Sequence, residues 1–288
     1  SFVFNAETAL GLPSTFGTSI YDSPEIDLKR TSIRKFEAIW DTGSFGTFYL
    51  GQGSMASDGI AEIDFSGAAL ASYSSVADIG GGNLFALSDG TLSTISVGSA
   101  YSNLDGARRG RLRYDTPKWG DFTLSLAAGR EILAKGNDND YYDAALRYSR
   151  TFGDNDFAAG IGYNSVRGDG ARSHFTSGSF AIRNNPTGLN GSFAAGRKNT
   201  GESYWYLQGG IIRDWFSAGS TAISLDYYDG DNFVADGAAS KTYALSAVQR
   251  IENANLELYI TLRRYQYDQN SADFRDGDAG GFGFRASF

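Results

Sequence analysis

Arg109, Arg111 and Arg113 recur at every second position, the spacing that aims side chains at one face of a β-strand. Leu112 and Tyr114 alternate with them, so the strand carries three cations on one side and apolar groups on the other. Just before this run lies 52–104, about fifty residues with no clear strand pattern of its own. Asp58, Glu62 and Asp64 place carboxylates on its first part. Other charges share the parity of the arginine side on their own runs: Lys35, Glu37, Arg147, Asp226, Glu257, Arg263 and Arg285. Opposed rows of such fixed charge would make a transverse field between them.

Other chemistries fare worse. There is no cysteine, which excludes thiolate metal sites and a Cys nucleophile. The single His174 excludes any site needing two imidazoles. Ser173, Ser177 and Asp169 lie near His174, but a hydrolytic triad is defined by geometry, and no catalytic residue is assigned. Gly51-x-Gly53-x-x-Ala56 mimics a dinucleotide fingerprint, yet Ser57-Asp58-Gly59-Ile60 starts no helix of the required length. Asp138-Asn139-Asp140, Asp229-Gly230-Asp231 and Asp276-Gly277-Asp278 do not fit a calcium-loop spacing. No resident metal or cofactor is expected; a divalent cation bridging these acids to anionic lipid is the one exception considered. With 25 Lys+Arg against 33 Asp+Glu the net charge is -8, which argues against a nucleic-acid partner.

The elements that position these groups are strands. Of 288 residues, 37 are Gly and 14 % are aromatic, with only 4 Pro and 1 Met, a profile unlike that of a helical protein. A period of two runs almost throughout. In 254–267, Leu256, Leu258, Ile260 and Leu262 alternate with Glu257, Tyr259, Thr261 and Arg263. About fourteen such runs of roughly ten residues are recognisable, the length a tilted strand needs to cross a bilayer. They cover 2–10, 31–41, 45–52, 105–115, 120–130, 140–151, 155–165, 173–184, 188–197, 203–214, 218–228, 240–251, 254–267 and 279–288. Short turns alternate with longer polar connections at 11–30, 52–104, 131–139, 166–172, 229–239 and 268–278; the tight 198–202 stretch breaks the rule. Prolines 13, 24, 117 and 186 all fall in connections. Trp40, Trp119 and Trp215 fall at one rim and Trp205 at the other; with the terminal Phe288 they form candidate aromatic girdles. A soluble sandwich or propeller would also alternate, but would bury its apolar face against a second sheet. Here Glu, Arg, Asp and Gly hold the opposite face of nearly every run, and no propeller-length repeat occurs. No stretch of 18 apolar residues exists, which bears on helices and not on strands.

Three stretches carry a family likeness. Gly281-Phe282-Gly283-Phe284-Arg285-Ala286-Ser287-Phe288 resembles the closing strand of Gram-negative outer-membrane barrels. Arg109-Gly110-Arg111-Leu112-Arg113-Tyr114-Asp115-Thr116-Pro117 with Gly120-Asp121-Phe122-Thr123-Leu124-Ser125 is similar to general diffusion porins, and so is Gly43-Ser44-Phe45-Gly46-Thr47-Phe48-Tyr49-Leu50-Gly51-Gln52-Gly53. The form is closest to porins of alphaproteobacterial type, and the likeness covers the whole chain. It implies an all-β fold: a transmembrane antiparallel up-and-down β-barrel of 14–16 strands in one domain, 1–288, with 52–104 folded inward as the pore loop. The family plan has sixteen strands with the long loop after the fifth. Here it follows the third, so two N-terminal strands are read as missing from the chain or from a smaller barrel.

The resemblance further implies an outer-membrane homotrimer among lipid and lipopolysaccharide, and passive diffusion of small hydrophilic solutes and ions. It places the constriction at the loop, with Asp58, Glu62 and Asp64 facing Arg109, Arg111 and Arg113. Three rivals stand beside it: a channel specific for anionic nutrients, a structural or adhesive barrel with a closed lumen, and a barrel enzyme.

Overall fold

A computed structural model describes every residue except 10–13, 22–24, 169–170, 271 and 288. Pro13, Pro24, Asp169 and Phe288 therefore lie outside the described residues. Fourteen strands form one antiparallel sheet: β1 (Phe2–Thr8), β2 (Ile33–Asp41), β3 (Thr47–Ser54), β6 (Arg108–Asp115), β7 (Phe122–Arg130), β8 (Asp140–Phe152), β9 (Asn155–Gly168), β10 (Ala171–Asn184), β11 (Leu189–Lys198), β12 (Ser203–Phe216), β13 (Gly219–Asp231), β14 (Ala239–Ile251), β15 (Leu256–Asp268) and β16 (Gly277–Ala286). Each pairs with the next in chain order, without a crossover, and β1 and β16 end the order. Between β3 and β6 the chain makes a separate two-stranded sheet, β4 (Leu84–Ala86) with β5 (Leu92–Ser96), and a one-turn helix α1 (Val97–Ala100).

The side chains are sorted inside out. Along β13 and β15, Leu225 is 63 % exposed and Leu262 60 %, while the alternating Thr261 is fully buried and Arg263 is 3 % exposed. A water-soluble sheet does the reverse. The apolar faces of fourteen strands look outward with nothing covering them, which is stable only against lipid. The fold is a transmembrane antiparallel β-barrel.

The interior is occupied by the segment between β3 and β6. It touches Asp143 on β8, Ser179 on β10, Gln208 on β12, Asp226 on β13, Arg263 and Tyr265 on β15, and the backbone at Gly281 on β16. A wall that meets one segment from β8 round to β16 is curled about it. Small inward residues make the room: Ser177, Ala181, Ala194, Ala222, Ser224 and Ser246 are all buried beneath it or beside it. A methyl group on Gly160 would come within 2.8 Å of Ile60 Cδ1. A tyrosine cluster fills the other half of the contact, with Tyr101 of the segment set against Tyr228 and Tyr265 at ring centroids of 5.4 and 5.2 Å.

Two expectations need correction. The 52–104 segment does contain strands, because Ser88-Asp89-Gly90-Thr91 turns the chain back on itself and pairs Ala86 with Leu92. The long connection expected over 166–172 is largely strand: the ladder continues until Gly168 faces Ala171, so residues 166–168 and 171–172 belong to β9 and β10.

Candidate functional site

The pore segment is held at its root by carboxylates and one arginine. Asp143, inward on β8, accepts from the Ala56 and Ser57 amides at 3.1 and 2.8 Å and from Ser57 Oγ at 2.6 Å. Asp105, where the segment returns to the wall, accepts from the Gly59 and Ala61 amides at 2.6 and 2.8 Å. Arg147 Nη2 donates to the Ala56 and Asp58 carbonyls at 2.8 and 3.1 Å. The turn so clamped needs Gly59, whose φ of +86° is left-handed. Its backbone donors and acceptors are thus satisfied inside the lumen.

The wall cations are held by wall carboxylates. Arg109 lies 3.4 Å from Glu131 and stacks over Tyr141. Arg111 forms a close, buried ion pair with Glu37, and Asn5 donates to the same carboxylate. Arg113 is bidentate on Asp115, both bonds at 2.8 Å, and donates to the Met55 carbonyl at 2.9 Å. Further round, Arg263 is bidentate on Asp226 at 2.8 Å, with Ser72 of the segment bonded to that carboxylate. Arg285 and Arg250 share Glu257, and Lys35 lies 3.3 Å from Glu7. None of Arg109, Arg111 and Arg113 is ion-paired with the segment's carboxylates.

Among the described residues, Asp58, Glu62, Asp78 and Asp105 form no ion pair. Asp58 makes no side-chain hydrogen bond or ion pair among the described residues. Glu62 accepts from Asn103 at 2.9 Å, and burial first, then the neighbouring Asp105 charge, pushes its pKa up to about 8. Burial likewise lifts Asp105 to about 6. Asp78 accepts from the Tyr73 hydroxyl and from Ser75. Asp58, Glu62, Asp78 and Asp105 lie close enough to feel one another's charge. Asp64 is apart from them, turned into its own Ser66 loop and raised by burial.

The sequence pattern singled out Asp58, Glu62 and Asp64 but not Asp78 or Asp105, nor the clamp residue Asp143. Asp143 shares the inward parity of Arg147 four residues on, and that was its available signal. At the rims, Trp40 and Trp215 stand exposed at the short-turn ends of β2 and β12, Trp119 sits in the β6–β7 turn, and Trp205 lies at the opposite end of β12.

The sequence profile described as Gram-negative porin matches residues 29–270. The chain belongs to the Gram-negative porin family. This porin is an outer-membrane channel for the diffusion of small solutes. Solved structures agree on the fold. It is similar to the anion-selective porin from Comamonas acidovorans at 14 % identity and a TM-score of 0.54, over 92 % of this chain and 79 % of that one. It is similar to Pseudomonas putida OprB at 12 % identity and a TM-score of 0.60, over 91 % and 75 %. It is similar to Vibrio cholerae OmpT at 11 % identity and a TM-score of 0.52, over 88 % and 78 %. No curated protein sequence matches the porin.

Proposed function

We propose that the porin passes small hydrophilic solutes and ions by passive diffusion, and that the charge of its filter comes from the pore segment. The observation that carries this is the asymmetry of pairing. Arg111, Arg113, Arg263 and Arg285 each have a wall carboxylate and Arg109 has Glu131 just beyond β7, whereas among the described residues Asp58, Glu62, Asp78 and Asp105 share a patch with Arg147 as the cation beneath them. The wall arginines still face the lumen, so the section keeps a transverse field, but the uncompensated charge is negative. Cations and neutral solutes are favoured over anions, which counts against a channel specific for anionic nutrients.

On this reading the porin has no catalytic role, works as a homotrimer and sits among outer-membrane lipid and lipopolysaccharide. A divalent cation bridging the outer acids to lipid would draw on Asp138, Asp231 and Asp276, because Asp140, Asp229 and Asp278 are engaged by Arg130, by Lys241 and Tyr227, and by Arg264. Liposome swelling with a series of neutral sugars of rising size tests the diffusion reading. Uptake that falls smoothly with solute size supports it. Rates equal to protein-free vesicles for every sugar would favour a closed, structural barrel.

A further inference from the structure

The outer face at the long-loop end of β7 to β10 carries a row of charge. Arg130 pairs in register with Asp140, Asp140 with Arg167, and Arg167 with Arg172. Four neighbouring strands thus place three guanidiniums and one carboxylate side by side, about 4.8 Å apart strand to strand. Arg130 takes the carboxylate. Arg167 lies over the Tyr142 ring at 5.0 Å and feels the charge of Asp140, which Arg130 already holds, but it has no ion pair of its own among the described residues. Arg172 is exposed and equally without one among them. Asp169, in the connection between the two, lies outside the described residues. Two like charges directly opposite on one face of a ladder are destabilising. Most other arginines here have a carboxylate within reach, so this pair calls for an anion from outside.

What lies below the row says which kind. The next outward positions are Tyr142, Ser165 and His174, with Tyr163 one step further down β9; the His174 ring is tilted against Tyr163 at 5.9 Å, and its Nδ1 is buried without a hydrogen-bond partner among the described residues. Amphipathic rings mark the boundary between headgroups and hydrocarbon. Below them Leu126, Ile161 and Phe180 form bare apolar wall. A ligand filling this surface has acyl chains against the wall and an anion at the height of the arginines. Guanidinium forks match the oxygens of a phosphate two at a time.

We propose that Arg130, Arg167 and Arg172 form a binding site for the phosphate headgroup of a phosphorylated outer-leaflet lipid. The proposal rests on the lipid partner named under the proposed function and gives it a position on the barrel. The neutralised row would then pin one side of the wall to the leaflet.

The test uses the full-length protein in detergent, titrated with diphosphorylated lipid A and with the same lipid stripped of phosphate, read by native mass spectrometry. The wild type is expected to hold the phosphorylated form at least tenfold more tightly. The double variant R167Q/R172Q should lose that preference, while R213Q at the opposite rim keeps it. Both variants should conduct as wild type, so loss of channel activity in the wild type would speak against the porin reading and not against this site. Equal binding of phosphorylated lipid by wild type and double variant overturns the proposal. So does displacement of the lipid by millimolar inorganic phosphate, which would make the row a site for the free anion.

Discussion

Replacing Asp143 by alanine should loosen the root of the pore segment without unfolding the barrel. In the wild type its carboxylate accepts three hydrogen bonds from Ala56 and Ser57 in a buried site. Hydrogen bonds to a charged group contribute about 1.5–3 kcal/mol each, but burying the carboxylate offsets part of the sum. Ser57 Oγ retains Asn164 as a partner at 2.8 Å, so two buried amides are left open. The net loss is about 2–4 kcal/mol. Asp105, Arg147 and the contacts of Ile60 with the β9 wall remain, so the segment stays inside and the change appears as more frequent local opening. At 1.4 kcal/mol per factor of ten, opening of residues 56–57 should rise roughly 30- to 1,000-fold. Single-channel recording should show excess open-channel noise, and hydrogen exchange should show lost protection at Ala56 and Ser57. Asp143→Asn keeps one acceptor oxygen and should fall between. Wild-type noise together with wild-type protection in D143A, in protein that still migrates as a folded barrel, would refute the clamp.

Other consequences follow from the same geometry. Asp58→Asn should shift the reversal potential in a salt gradient toward anions, because it removes a carboxylate that has no hydrogen bond or ion pair among the described residues. Glu62→Gln should change little at pH 7 and much more at pH 9: with a pKa near 8 the group is mostly protonated at the lower pH and ionised at the higher. By the same sign, wild-type cation preference should grow between pH 5 and pH 9 as Asp105 and then Glu62 ionise, and a flat reversal potential across that range would contradict the assignment. Arg111→Ala leaves Glu37 buried and unpaired and should destabilise the barrel by about 3–5 kcal/mol, whereas the double replacement of Arg111 and Glu37 by methionine should cost less, as read by denaturant unfolding in lipid vesicles. Leu262→Arg on the lipid face should cost about 2–4 kcal/mol if the residue lies near mid-bilayer.

The strands were legible in the sequence because alternation is local: each of the fourteen runs can be read from its own ten or so residues. Their ends were less so. Arg167 to Arg172 reads as loop from composition, yet a ladder that clears the membrane can carry charge on its outer face and continue. The pore segment was legible as a long insertion but not as an object. Its root is fixed by Asp143 and its middle by Asp226 and Arg263, residues 87 and 154 or more positions away in the chain, and no local pattern announces such contacts. The same gap explains the arginines. Parity places Arg109, Arg111 and Arg113 on the inner face, but only the folded wall brings Glu131, Glu37 and Asp115 to them. The small inward residues Ser177, Ala181, Ala194 and Ser246 are a readable trace of the insertion, since a wall facing open water has no need to be flat where a segment must lie.

The measurement that tests the account most directly is single-channel conductance of the purified protein in a planar bilayer, with the reversal potential taken under a salt gradient. A water-filled channel whose net fixed charge sits on the pore segment predicts discrete conductance steps, ohmic at low voltage, with a cation preference that weakens on acidification. Folded, bilayer-inserted protein that gives no steps would contradict the open channel, and steps with a clear anion preference would contradict the charge assignment.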